Sequence, residues 1–195
     1  PQRPLQAGSS AELVIQSRAE APLNVAERTR GVIASGRFLT NGPDKDNMAA
    51  LAGDARNGSS SLQFKQAPAG WAVGDEVVVT GTRFHWANSQ DQTLLENEVR
   101  KITAINGSTV TLDAELVHDH VRADPSFSIF VSNLTRPIVI RSATARPLTE
   151  RGHVMFMQGS QVDIRDAAFI DLGRTDKAAA TSAANLKGVY SVHFH

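Results

Sequence analysis

From Pro137 onward the chain is a succession of short apolar-alternating runs: Ile138-Val-Ile-Arg-Ser142, His153-Val-Met-Phe-Met157, Gln161-Val-Asp-Ile-Arg165, Ala168-Phe-Ile-Asp171 and Tyr190-Ser-Val-His-Phe-His195. Polar, glycine-containing turns separate them. Each run is too short for a helix, and its period of two is that of a strand with one buried face. A four- or five-residue strand cannot bury its apolar side alone, so runs at such close intervals must stack on one another. That pattern predicts a right-handed parallel β-helix, in which each coil contributes two or three strands. In that register Val154 and Phe156 lie beneath Val192 and Phe194. The other face then carries His153, Met155 and Met157 under Ser191, His193 and His195.

The first two thirds also read as β-structure. No window repeats apolar residues at i, i+3, i+4 and i+7 over three turns. A turn or two of helix is expected at most at Ala49–Ala55 and Asp176–Leu186. Strands are expected at Glu12–Gln16, at Gly31–Gly42 as two strands turning at Ser35-Gly36, at Ser61–Lys65 and at Glu76–Thr80. Glu98–Ile105 and Ser108–Leu112 flank Asn106-Gly107, whose residues accept the positive φ values of a type I′ hairpin turn. This hairpin is also what an antiparallel sandwich, the competing fold, would contain. Between Thr80 and Glu98 runs a long connection with Phe84, His85, Trp86, Asn88 and Gln90, of a length found in binding loops and in disordered segments.

Composition narrows the function classes. The 20 basic residues balance 20 acidic ones, so bulk charge gives no footprint for nucleic acid or an anionic membrane surface. No run of eighteen apolar residues spans a bilayer. Cysteine is absent, which excludes disulfides and thiol chemistry and fits an exported bacterial protein. The start Pro1-Gln-Arg-Pro-Leu looks trimmed rather than initiated. No phosphate-binding glycine loop, Ser-His-Asp order or nucleic-acid motif is present.

The chemistry-bearing residues gather toward the end of the chain. His193 and His195, two apart on a strand, share a face with Cα atoms about 7 Å apart. Such a pair can give two imidazole nitrogens to one divalent metal ion, completed by His153 or a carboxylate such as Asp171. It can equally act as general acid or base, because histidine titrates near neutrality. A solvated polar ladder without chemistry is the plainer alternative. Asp163, Arg165, Asp166, Asp171 and Arg174 precede the pair; Arg165 and Arg174 suit a substrate carboxylate, or else structural ion pairs. His85 and Trp86 are candidates for stacking on a sugar. His118-Asp119-His120 reads as a surface loop. Asn133-Leu-Thr135 matches a glycosylation sequon.

Three stretches in order, Gly70-Trp-Ala-Val-Gly-Asp-Glu-Val-Val-Val79, Arg151-Gly-His-Val-Met-Phe156 and Lys187-Gly-Val-Tyr-Ser-Val-His-Phe-His195, resemble proteins that carry an eight-glycine (G8) domain followed by parallel β-helix repeats. Gly36 and Gly42, Glu98-Val-Arg-Lys-Ile102 and Asn133-Leu-Thr-Arg-Pro-Ile-Val-Ile140 add to the resemblance, which covers Gly31 to His195. The chain departs from the family in having Val189-Tyr190-Ser191 before Val-His-Phe-His, and in its longer connection from Thr82 to Asn97. The resemblance implies an all-β chain, with an eight-glycine β domain over 1–135 and the start of a parallel β-helix over 136–195. It further implies a secreted or cell-surface protein that degrades or modifies a polysaccharide, anionic hyaluronan-like glycans among the candidates, as hydrolase or lyase. In that scheme His193 or His195 transfers the proton, Asp171 orients the imidazole or binds metal, and Arg174 neutralises a sugar carboxylate. The alternative is a non-catalytic glycan-binding or adhesion module. A β-helix ending at His195 would leave strand edges unpaired, so further coils or a capping partner chain are expected.

Overall fold

The computed structural model describes residues 3–16, 30–83, 96–182 and 185–195. Its elements are strands and short turns, with one 3₁₀ turn at Leu148–Glu150 and no α-helix among the described residues. The chain divides into two compact units, Pro1–Pro43 with Arg136–His195, and Asp44–Thr135.

The first unit is made of eight strands: β1 (Ala11–Ile15), β2 (Gly31–Ala34), β3 (Arg37–Thr40), β10 (Ile138–Ser142), β11 (His153–Phe156), β12 (Gln161–Ile164), β13 (Ala167–Ile170) and β14 (Val192–Phe194). All pair in parallel. The ladders are β1-β10-β13, β2-β11-β14 and β3-β12, so three successive passes of the chain lie in register on one another. Val154 pairs with Val192, Met155 with His193 and Phe156 with Phe194, as the alternation of the two runs requires. The inner faces of the three ladders meet in one apolar core of Ile140, Val154, Phe156 and Leu172, flanked by Val32, Phe38, Val162, Phe169 and Val192. The Phe156 ring in this core has the rings of Phe38 and Phe194 tilted against it, with centroids 5.0 and 5.1 Å away.

Gly31 is required by close approach. A Cβ there would stand 2.3 Å from the His153 carbonyl oxygen and 2.7 Å from its Nδ1, so only glycine lets β2 and β11 pair with that ring between them.

The second unit holds β4 (Met48–Ala50), β5 (Ser61–Gln63), β6 (Glu76–Val79), β7 (Glu98–Asn106), β8 (Thr109–Leu112) and β9 (Phe130–Asn133), antiparallel in the order β4-β9-β6-β7-β8-β5. The sheet curls until its outer strands meet. Leu51 bridges Phe64, the Ala52 N–H donates to the Gln63 carbonyl (2.8 Å) and the Lys65 N–H to the Ala50 carbonyl (2.9 Å). Closure leaves neither edge strand unpaired. The interior is filled by Leu51, Leu62, Phe64, Trp71, Val77, Ile102, Val110 and Val131 among others. A carboxylate network ties its entrance strand. Asp75 Oδ2 accepts from Lys45 Nζ (2.8 Å), Asn133 Nδ2 (2.7 Å) and the Ala72 N–H (3.0 Å). Burial pushes the Asp75 carboxyl up, but those three donors outweigh it and hold the group below its ordinary value.

Several expectations are corrected. The expected division at residue 135 is not the one the compact units follow: Pro1–Pro43 group with Arg136–His195, and Asp44–Thr135 form the other unit. The partners of β1, β2 and β3 lie more than a hundred residues away, a relation that local pattern does not encode. Ala49–Ala55 and the described part of Asp176–Leu186 form no helix: Met48–Ala50 is a strand, and Asn185 organises the later segment as a loop. β9 was not anticipated, because Phe130–Asn133 is exposed on alternate residues within a Ser- and Pro-rich stretch. Phe194 is 68 % exposed, not enclosed, since β14 is the outer strand of its ladder among the described residues.

Candidate functional site

The site grows from the outward face of the β2-β11-β14 ladder. Alternation turns Val192 inward onto the core and leaves His193 on the other face above Met155. His195 continues that face; its N–H donates to the Phe156 carbonyl (2.9 Å), which fixes the last turn of backbone against β11. The two imidazole rings stand side by side, centroids 5.7 Å apart, His193 half-buried and His195 exposed. The Tyr190 ring extends the row, 5.4 Å from His193, with Lys177 Nζ 5.7 Å from its centroid.

Against the histidines lies a cleft of about 260 Å³ whose floor is Met155 and whose wall is the Leu186–Val189 turn with Lys187. Gly188, at φ +94°, makes the turn, and the Arg174 N–H anchors it by donating to the Val189 carbonyl (2.8 Å). A second cleft, of about 460 Å³, opens on the other side of Tyr190 and is lined by Thr175, Asp176, Lys177 and Thr181. The pair therefore sits in a depression floored by Met155 and walled by the Leu186–Val189 turn with Lys187, and the Tyr190 ring stands beside His193. Two adjacent imidazoles there can accept and deliver protons to a ligand in the cleft.

The other candidates are placed elsewhere or used otherwise. His153 is fully buried, with Nδ1 2.8 Å from the Arg30 carbonyl oxygen, so it sits beneath the ladder surface and outside the cleft. Arg174, 5 % exposed, spends Nη1 on the carbonyls of Arg30 (3.0 Å) and Arg151 (2.7 Å); it braces backbone and does not face solvent as a substrate clamp. Asp171, at φ +52° in the turn after β13, faces Arg151 at 3.4 Å. Arg165 pairs with Asp163 (3.0 Å) on the exposed surface beside the β3-β12 ladder. His85 and Trp86 lie outside the described residues.

The three-histidine metal set is therefore not assembled. Among the described residues no group of three or more His, Asp or Glu side chains is positioned to hold a metal ion. His193 and His195 alone offer two nitrogens, short of the three protein ligands of a catalytic zinc site.

Sequence reasoning missed Tyr190, Lys177 and Lys187 as companions of the pair. Tyr190 stood three residues before His193 and was legible only as a departure from the family pattern. It also misplaced His120, which is fully buried, not a surface-loop residue.

No family model matches the chain. A G8 domain-containing protein of Dictyostelium discoideum is 31 % identical over 166 residues, which is 84 % of this chain and 13 % of that protein. The chain thus spans about an eighth of the relative's length. Among solved structures, the tailspike of Pseudomonas phage phi297 aligns over 70 % of this chain and 26 % of its own, with TM-score 0.38 and 16 % identity. The tailspike of Acinetobacter baumannii bacteriophage AP22, solved in complex with a capsular saccharide, aligns over 82 % and 30 %, with TM-score 0.37 and 13 % identity.

Proposed function

We propose that this chain is the G8-type portion of an exported carbohydrate-active protein, that its parallel passes are the first coils of a right-handed β-helix, and that the His193–His195 cleft takes a polysaccharide segment. The observation that carries the site is the side-by-side imidazole pair at 5.7 Å on the outer face of β14, over a cleft with an apolar floor. The G8 likeness at 31 % identity supports the family, and a polysaccharide substrate is what the resemblance to that family implies. Met155 presents an apolar surface to a sugar ring face, and Lys187 presents a charge to its hydroxyls or acid groups. In turnover one imidazole removes a proton from the sugar or from a water, and the other protonates the leaving glycosidic oxygen.

A second reading, a glycan-binding module without turnover, is favoured by one observation. Asp171 and Arg174, the residues expected to orient the base and neutralise the substrate, are engaged with Arg151 and with backbone carbonyls instead. A panel of neutral and uronic-acid polysaccharides separates the readings. Release of reducing ends signals cleavage, and absorbance of an unsaturated uronate in addition signals elimination. Saturable binding with neither signal means a binding module. Neither binding nor cleavage across the panel refutes the polysaccharide proposal.

A further inference from the structure

The barrel-like second unit buries a histidine that plays no part in the cleft. His120 has no exposed surface, and its backbone forms both hydrogen bonds of a bridge with Ala55, N–H to carbonyl in each direction (2.7 and 2.9 Å). Its ring has an oxygen at each nitrogen. Nδ1 stands 2.8 Å from the Thr80 carbonyl, and Nε2 stands 3.0 Å from Glu98 Oε1. A carbonyl oxygen only accepts, so Nδ1 carries a hydrogen. A neutral imidazole has one N–H. A neutral ring would therefore aim its Nε2 lone pair at a carboxylate oxygen inside a dry core, where an unmade hydrogen bond is most costly.

Glu98 itself is surrounded by donors. The N–H groups of Val117 (2.9 Å to Oε2) and His118 (2.8 Å to Oε1) point at it, and Arg100 Nη2 contacts Oε2. Burial pushes the Glu98 carboxyl up, but these donors together with the His120 ring hold it below the ordinary glutamate value, so the carboxylate is ionised. We propose that His120 is a proton-dependent rivet, carrying a hydrogen on both ring nitrogens in the folded protein and thereby joining Ala55, Thr80, Glu98 and the 117–121 segment. The same corner is fastened by the Val121 N–H on Thr82 Oγ1 (3.0 Å) and by the Gly81 N–H on Asn97 Oδ1 (2.8 Å). These bonds close the base of the long connection between β6 and β7.

Among the described residues, few charged groups lie around the ring. Glu98 touches it from β7, and Arg100 lies behind Glu98. On its own segment Asp119 is turned to the Asn57 N–H (3.0 Å) and Arg56 (3.9 Å).

The test is nitrogen NMR on the full chain labelled with ¹⁵N-histidine, His120 being assigned by loss of its signals in H120Q. At neutral pH both His120 nitrogens are expected to show protonated-type shifts with a directly bonded hydrogen on each. The variant Glu98→Gln supplies an amide donor to Nε2, so Nε2 in it should become a lone-pair nitrogen while Nδ1 stays protonated. One lone-pair nitrogen on His120 in the wild type at neutral pH overturns the proposal, as does a hydrogen on Nε2 that persists unchanged in Glu98→Gln. If Glu98→Gln does not fold, the wild-type spectrum alone decides.

Discussion

Phe156 and Phe194 occupy equivalent places on successive strands of one ladder, yet they should respond very differently to truncation. Phe156 is 1 % exposed and has a ring on either side, Phe38 at 5.0 Å and Phe194 at 5.1 Å. Phe156→Ala removes the middle ring of that row and leaves a cavity in the core. A cost of about 3–5 kcal/mol is expected. Phe194 is 68 % exposed. Burying a whole phenylalanine contributes about 1.5–3 kcal/mol, so burial of roughly a third gives Phe194→Ala about 0.5–1 kcal/mol. Urea unfolding of both variants, followed by far-UV circular dichroism with the slope checked for constancy, measures the difference. Equal costs would refute the stacked-pass packing, because they would mean the two rings share one environment.

Other consequences follow from buried charge and from a buried amide. Asp75 and Glu98 both have folded-state pKa values below their ordinary 3.8 and 4.5. The stability they contribute is therefore present above those values and lost as pH falls through the lower, folded-state ones, so acid melts should show a loss of stability below about pH 4. Lys45→Met leaves the Asp75 carboxylate buried without its cation and should cost about 3–5 kcal/mol at pH 7. That penalty should shrink in acid, where Asp75 takes a proton; a pH-independent penalty in paired urea titrations would contradict it. Asn133, in a sequon, is fully buried with Nδ2 on Asp75. Expression in a glycosylating host should leave it unmodified, which intact-mass measurement checks.

The parallel stack was legible where alternation was strong. His153–Phe156 and Val192–Phe194 each carry two apolar side chains of one parity, and parity alone fixed their mutual register. The Asn106-Gly107 hairpin was equally clear, since few dipeptides accept its turn, and β7 and β8 pair across it. The return of β1–β3 to that stack was not legible, because parallel partners a hundred residues apart leave no local trace. Closure of the curled sheet was hidden for a similar reason: it depends on single bridges such as Leu51 to Phe64, outside any regular run. At the site, the shared face of His193 and His195 followed from spacing alone. The fates of His153 and Arg174 did not, because an outward parity says nothing about what folds over it; the approach of Gly31 and the carbonyls of Arg30 and Arg151 decided those.

The central claim is that the paired imidazoles on β14 contact a polysaccharide. Replacing both histidines, His193→Gln with His195→Gln, should alter the melting temperature little, since one is half-buried, the other exposed, and surface changes usually cost under about 0.5 kcal/mol. Calorimetric titration with whichever polysaccharide of the panel the wild-type protein binds should then show at least a tenfold weaker interaction for the double variant. Cleavage, if the wild type has it, should fall about a hundredfold or more. A double variant that melts like the wild type and also binds and cleaves like it would contradict the claim.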